Sequence, residues 1–140
     1  MKTFLFATDG SAYSEHAAQL TAEYLEAWPE AKLIVLYVTA KENYAYDLVP
    51  ESVDNYEEQL TKQIKEDVKN RLFSNWKDRV QFIHQTGHPS ITICNVAKEK
   101  HANLIIVGSH GRGLVDRALL GSVAHGVLHR THIPVLVVRK

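Results

Sequence analysis

The feature that most constrains this chain is a hydrophobic period that switches back and forth along its length. Short continuous apolar runs alternate with longer segments whose apolar residues recur every three or four positions. Thr3 to Thr8 is one such run and reads as a buried strand. Ser11 to Ala27 reads as a helix with Ala17, Ala18, Leu20, Thr21, Tyr24 and Leu25 on one face, stopped by Trp28-Pro29. Leu33 to Val38 is a second buried strand, and residues 39–51, with Asn43, Asp47 and Pro50, read as a long loop. Val53, Tyr56, Leu60, Ile64, Val68 and Leu72 then trace one stripe down a second helix. Glu58 and Lys62 form an i,i+4 pair on its solvated side. The stripe would also suit a partner's groove, but packing onto the chain's own sheet is the simpler reading.

Arg79 to Gln85 is a third strand. Pro89 suits the first turn of a third helix, with Ile91, Cys94 and Ala97 expected on its inner face. Leu104 to Val107 is the fourth strand, Ser122 to Arg130 a fourth helix, and Pro134 to Val138 a fifth strand. Strands alternating with helices imply a parallel sheet covered on both faces, and continuous apolar strands agree with burial on both sides.

Composition narrows the function. With 140 residues, the chain is expected to form one domain over 1–140. Lys and Arg number 16 and so do Asp and Glu, so bulk charge gives no reason to expect nucleic acid or an anionic membrane surface as a partner. Cys94 is the only cysteine, which excludes an internal disulfide and a cysteine-rich zinc site; it reads as a buried, inert thiol. Phe4-Leu5-Phe6-Ala7 is too short for a signal sequence, and Leu33 to Val38 is far short of the ~20 apolar residues that span a bilayer. A cytoplasmic protein is expected.

In an open α/β sheet, ligands sit beyond the carboxyl ends of the strands, where the strand order reverses. Two strand ends are unusual here: Asp9-Gly10-Ser11 after the first, and Gly108-Ser109-His110-Gly111-Arg112-Gly113 after the fourth. Five of the seven glycines fall between Gly108 and Gly126, a density that suits backbone N–H groups closing on a phosphate. Two standard motifs fail. Gly108 and Gly113 have the Walker A spacing, but Leu114 and Val115 stand where Lys and Ser or Thr are required. Asp116 occupies the third glycine position of a dinucleotide fingerprint. The G-x-S-x-G elbow of hydrolases does not occur.

What remains is Gly108-x2-Gly111-x9-Gly121-Ser122, between a buried strand and a helix. With Asp9-Gly10-Ser11-x2-Ser14, Val38 at the end of the second strand, and Ile133-Pro134-Val-Leu-Val-Val-Arg139, this arrangement resembles the universal stress protein family over essentially the whole chain. The resemblance implies a five-stranded parallel sheet of order 3-2-1-4-5, a Rossmann-like fold of the adenine nucleotide alpha hydrolase kind. It also implies ATP binding, with or without Mg2+. Carried over residue by residue, Ala7 and Val38 would line the adenine and Asp9 would meet the ribose or adenine end. Gly108, His110, Gly111, Arg112, Gly121, Ser122 and Val123 would surround the ribose and phosphates. Tyr44 or Tyr46 could stack on a base, or pack under its own loop. The resemblance further implies a homodimer formed through the fifth strand.

Plainer readings stand beside these. Asp9 could cap the first helix, Arg112 could be a solvated loop residue, and Gly126 suits close packing of the last helix on the sheet. His125 and His129 share one helical face, with His132 nearby, but zinc would need a third converging group, so no metal is expected there. The leading functional reading is an ATP-dependent regulatory switch in stress adaptation. A slow ATP hydrolase and a nucleotide-free interaction module are the alternatives. Efficient hydrolysis lacks support, because no lysine clamp and no general base beyond Asp9 or His110 can be found.

Overall fold

The computed structural model describes residues 2–40, 50–110 and 120–139. Five strands, β1 (Thr3–Thr8), β2 (Lys32–Thr39), β3 (Val80–Thr86), β4 (Leu104–Gly108) and β5 (Val135–Val138), form one parallel sheet in the order β3-β2-β1-β4-β5. The helices are α1 (Ala12–Ala27), α2 (Pro50–Asp67), α3 (Pro89–Glu99) and α4 (Ser122–Arg130). Strands β1, β2 and β4 are apolar on both sides because both sides are covered. Phe4, Phe6, Leu33, Val35 and Ile106 pack with α1 and α2 on one face. Leu5, Ile34, Leu36, Ile105 and Val107 pack with α3 and α4 on the other.

The predicted and observed elements agree closely, with three instructive departures. First, α2 passes into a π-helical turn over Val68–Leu72, closed by the Phe73 N–H to the Val68 carbonyl at 3.0 Å. The wider turn brings Phe73 fully inside, edge-on to Phe6 with ring centroids 6.2 Å apart. A short 3-10 segment, Ser74–Arg79, follows and leads into β3. Arg79, read from sequence as the start of that strand, instead caps α1: its guanidinium donates to the carbonyls of Leu25, Trp28 and Ala31 at 2.8–3.0 Å.

Second, the inner face of α3 is Ser90, Ile93, Val96 and Ala97, while Ile91 is exposed and Cys94 only half-buried. Third, Gly126 serves helix–helix contact rather than helix–sheet contact. A Cβ there would lie 2.6 Å from Ser90 Oγ and 2.7 Å from Ser90 Cβ, so α3 and α4 approach too closely for any side chain at that point.

Candidate functional site

Strand order reverses at β1, whose neighbours β2 and β4 are reached by crossovers on opposite faces. The carboxyl ends of these three strands, with residues at the start of α3 and α4 and Tyr56 and Glu57 of α2, frame a cleft of about 760 Å³. Small-molecule sites typically measure about 300–1,000 Å³. Of the residues singled out from sequence, Ala7, Asp9, Val38, Gly108, His110, Gly121, Ser122 and Val123 all line this cleft. Gly111 and Arg112 lie outside the described residues, as do Tyr44 and Tyr46.

One wall is apolar. Ala7, Leu36, Val38, Ile93 and Val107 line it and belong to the core face shared with α3 and α4. Such a shelf suits the flat face of an aromatic ring.

The start of α4 faces the same space. Its N-cap is Gly121 (φ −63°, ψ 154°), which has no side chain to cap with. Gly121 spends its own N–H on the Ser109 carbonyl at 2.7 Å, so that group is not open to a ligand. The first bond of the helical ladder runs from His125 N–H to the Gly121 carbonyl, 2.9 Å. The N–H groups of Ser122, Val123 and Ala124 therefore precede the ladder, at the positive end of the helix, and all three residues line the cleft. The glycine at 121 is thus not needed for a positive φ; its effect is to leave these donors uncapped.

Around Asp9 the chain satisfies itself. Asp9 Oδ1 accepts from the Ser11 N–H and from the Ser14 hydroxyl, both at 2.8 Å, and the Asp9 N–H donates to Ser14 Oγ at 3.1 Å. The helix cap is Ser11, whose side chain accepts from Ser14 N–H at 3.3 Å. Asp9 braces the turn rather than capping α1 directly. Gly10, at φ 78°, supplies the left-handed residue that this turn requires.

His110 is buried, and its Nδ1 shares a hydrogen bond with Ser109 Oγ at 2.8 Å. Its ring leans on Tyr13, 5.1 Å between centroids. Among the described residues its Nε2 is buried with no hydrogen-bond partner. A buried nitrogen costs on the order of 1–3 kcal/mol when nothing pairs with it.

A polar group missed by the sequence reading lies on the α2 side. Glu57 lines the cleft, and its Oε2 accepts from Tyr37 Oη at 3.0 Å and Thr39 Oγ1 at 2.9 Å. Thr39 Oγ1 also lies 2.7 Å from His84 Nε2, and the His84 ring stacks on Tyr37 at 5.3 Å and 18°. Desolvation holds the His84 pKa below its ordinary value, opposed by the Glu57 charge. Tyr56, assigned from its spacing to the core stripe, is more than half exposed and lines the cleft beside Glu57. No motif marks Glu57; only the fold brings it to strands β2 and β3.

Elsewhere, His125 and His129 Nε2 atoms lie 3.2 Å apart on the exposed face of α4. Among the described residues, no three His, Cys, Asp or Glu side chains are placed to hold a metal ion. Partial burial raises the Cys94 thiol pKa, opposed by Arg130. No helix among the described residues is long and apolar enough to cross a membrane.

Comparison with known proteins agrees with this architecture. The sequence signature of the universal stress protein family matches residues 1–139. Universal stress protein Sll1654 of Synechocystis is 33% identical over 137 residues, covering 98% of this chain and 85% of that protein. A universal stress protein solved in complex with cAMP superposes with a TM-score of 0.74 at 25% identity, covering 98% of this chain and 96% of that one. Universal stress protein UspA from Lactobacillus plantarum gives a TM-score of 0.79 at 22% identity, covering 99% and 97%, and supports the fold. This chain belongs to the universal stress protein family.

Proposed function

We propose that this protein binds an adenine nucleotide, ATP in particular, in the cleft and acts as a nucleotide-dependent regulatory switch in stress adaptation. The observation that carries the reading is the pairing of two surfaces in one cavity. Three uncapped N–H groups of Ser122, Val123 and Ala124 offer an anion site, and an apolar shelf beside Ala7 and Val38 offers a place for a base. The relative solved with cAMP, an adenine nucleotide, supports the same ligand class. In this reading Ser122 adds its hydroxyl to the phosphate site, Gly108 lets the ligand pass close to β4, and His110 gains a partner. Gly111 and Arg112 complete the phosphate surround. Asp9 holds the β1–α1 turn against the nucleoside. Any Mg2+ would be carried on the phosphates, since Mg2+ commonly keeps substrate phosphates and water among its ligands.

Phosphoryl transfer needs a positioned nucleophile and neutralisation of developing charge. The described lining contains no lysine or arginine. We therefore expect turnover far below the ~10 s⁻¹ typical of enzymes. We also propose a cytoplasmic homodimer paired through β5, which lies at a sheet edge and carries half-buried Val135, Leu136 and Val137. Sedimentation of wild type and Leu136→Asp tests this; a monomeric wild type at tens of micromolar would refute it.

The nucleotide itself is tested by heat-denaturing purified protein and identifying the released small molecules by mass spectrometry. Titration of stripped protein with ATP and adenosine follows. Failure of any adenine nucleotide to bind would favour the nucleotide-free interaction module; rapid Mg2+-dependent phosphate release would favour the hydrolase.

A further inference from the structure

We propose that Glu57 determines base specificity, by accepting a hydrogen bond from the exocyclic amino group of a purine that carries one. The inference rests on the nucleotide reading above and adds to it the residue that reads the base. Glu57 is a half-buried carboxylate in the wall of a cleft otherwise suited to an anion. Among the described residues it has no ion pair; hydroxyl groups alone hold it. Both hydroxyls, Tyr37 Oη and Thr39 Oγ1, donate to the same oxygen, Oε2, and Oε1 makes no hydrogen bond among the described residues.

The carboxylate is also aimed. The single hydroxyl proton of Thr39 goes to Glu57, so towards His84 Nε2, 2.7 Å away, Thr39 accepts. His84 therefore carries its proton on Nε2. The resulting chain, His84 N–H to Thr39 O–H to Glu57, ties β3, β2 and α2 together, with the Tyr37–His84 stack behind it. Three elements thus fix an acceptor before any ligand arrives, which reduces the ordering cost of binding.

Charge then sets the ligand's direction. A carboxylate repels phosphates and attracts a hydrogen-bond donor, while the α4 N-terminus does the reverse. Both line one cleft. A nucleotide bearing an amino group on its base satisfies both ends; one with a carbonyl at that position would set oxygen against oxygen.

The test compares AMP with IMP, which differ at that one substituent, by calorimetric titration of wild type, Glu57→Gln and Thr39→Val. Wild type should favour AMP by at least about tenfold, the scale of one lost hydrogen bond to a charged group. Glu57→Gln presents an amide that can also donate, so the ratio should fall below about threefold, mainly through tighter IMP binding. Thr39→Val, which releases one of the two hydroxyls, should narrow the ratio part-way. An AMP/IMP ratio unchanged in Glu57→Gln, with AMP still bound, overturns this inference and leaves the nucleotide reading intact. So does a change confined to the ribose against 2′-deoxyribose preference, which would place Glu57 at the sugar. Failure of wild type to bind AMP or ATP overturns the nucleotide reading, and this inference with it. Should Glu57→Gln fail to fold, an unchanged ratio in Thr39→Val refutes the proposal.

Discussion

Helices α1 and α4 both begin where a central strand ends, yet they begin in opposite ways. At α1 the chain closes on itself: Ser11 caps Ser14, and Asp9 takes the Ser11 N–H and the Ser14 hydroxyl. At α4 the cap is Gly121, and the N–H groups of Ser122, Val123 and Ala124 are left to the cleft. Helix α3 follows the first pattern, with the His88 ring accepting from Ile91 N–H at 3.5 Å. A self-capped start spends its donors on stability; an uncapped one keeps them for an anion. The two starts stand side by side on neighbouring strands, so the distinction lies in local sequence rather than in position within the fold.

The difference can be broken by giving α4 its own cap. Gly121→Asp places a carboxylate among the open donors, in backbone geometry that Asp adopts readily. ATP affinity should fall on the order of 100-fold, the loss of about two charge-assisted hydrogen bonds, while an intact fold is confirmed by circular dichroism. An unchanged affinity would place the phosphates elsewhere.

The next largest effect is on stability. Gly126→Ala must push Ser90 Cβ away, and α3 and α4 with it, because the clash is with buried structure rather than a flexible tip. Urea unfolding should show a loss of about 1–3 kcal/mol, in spite of alanine's higher helix propensity. Gly108→Ala is the contrast: a Cβ there meets only ordinary contacts at 3.5 Å, so the fold should tolerate it and only ligand binding should suffer.

At the self-capped start, Asp9→Ala removes the acceptor of two hydrogen bonds and should cost about 1–2 kcal/mol, whereas Asp9→Asn keeps an acceptor oxygen and should cost less. Equal losses would show that charge rather than bonding matters there. At the open start, Ser122→Ala should weaken ATP by about tenfold and leave adenosine nearly unchanged, since the N–H remains.

The smallest effect is a pH slope. Because the folded His84 pKa is depressed, the folded state binds fewer protons than the unfolded one as pH falls. Its contribution is fully present above the unfolded value of 6.5 and is lost as pH falls towards the lower folded value. Stability of wild type relative to His84→Gln should decline over that window and level off below it. A difference independent of pH would remove the assignment.

Much of this was legible in the chain. The ends of α4 follow from Gly121 and the apolar spacing after it, and eight of the ten expected site residues line one cleft because strand-end glycines mark the switch point. The phase of α3 was not legible: Ile91, Cys94 and Ala97 are as well spaced as Ser90, Ile93 and Ala97, and contact with Gly126 selects the second set. Phe73 was missed because a π-helical turn shifts the inward position by one residue. Glu57 was missed because its partners, Tyr37 and Thr39, come from strand β2, more than a dozen residues away.

Backbone amide NMR reads directly which helix start receives the phosphates. Adding ATP to ligand-free protein should shift the amide signals of Ser122, Val123 and Ala124 most strongly, with adenosine moving them far less. The amides of Ser11 and Ser14, already engaged, should respond weakly to both. Shifts concentrated at α1, or equal for ATP and adenosine at α4, would contradict the claim that the uncapped helix holds the phosphates.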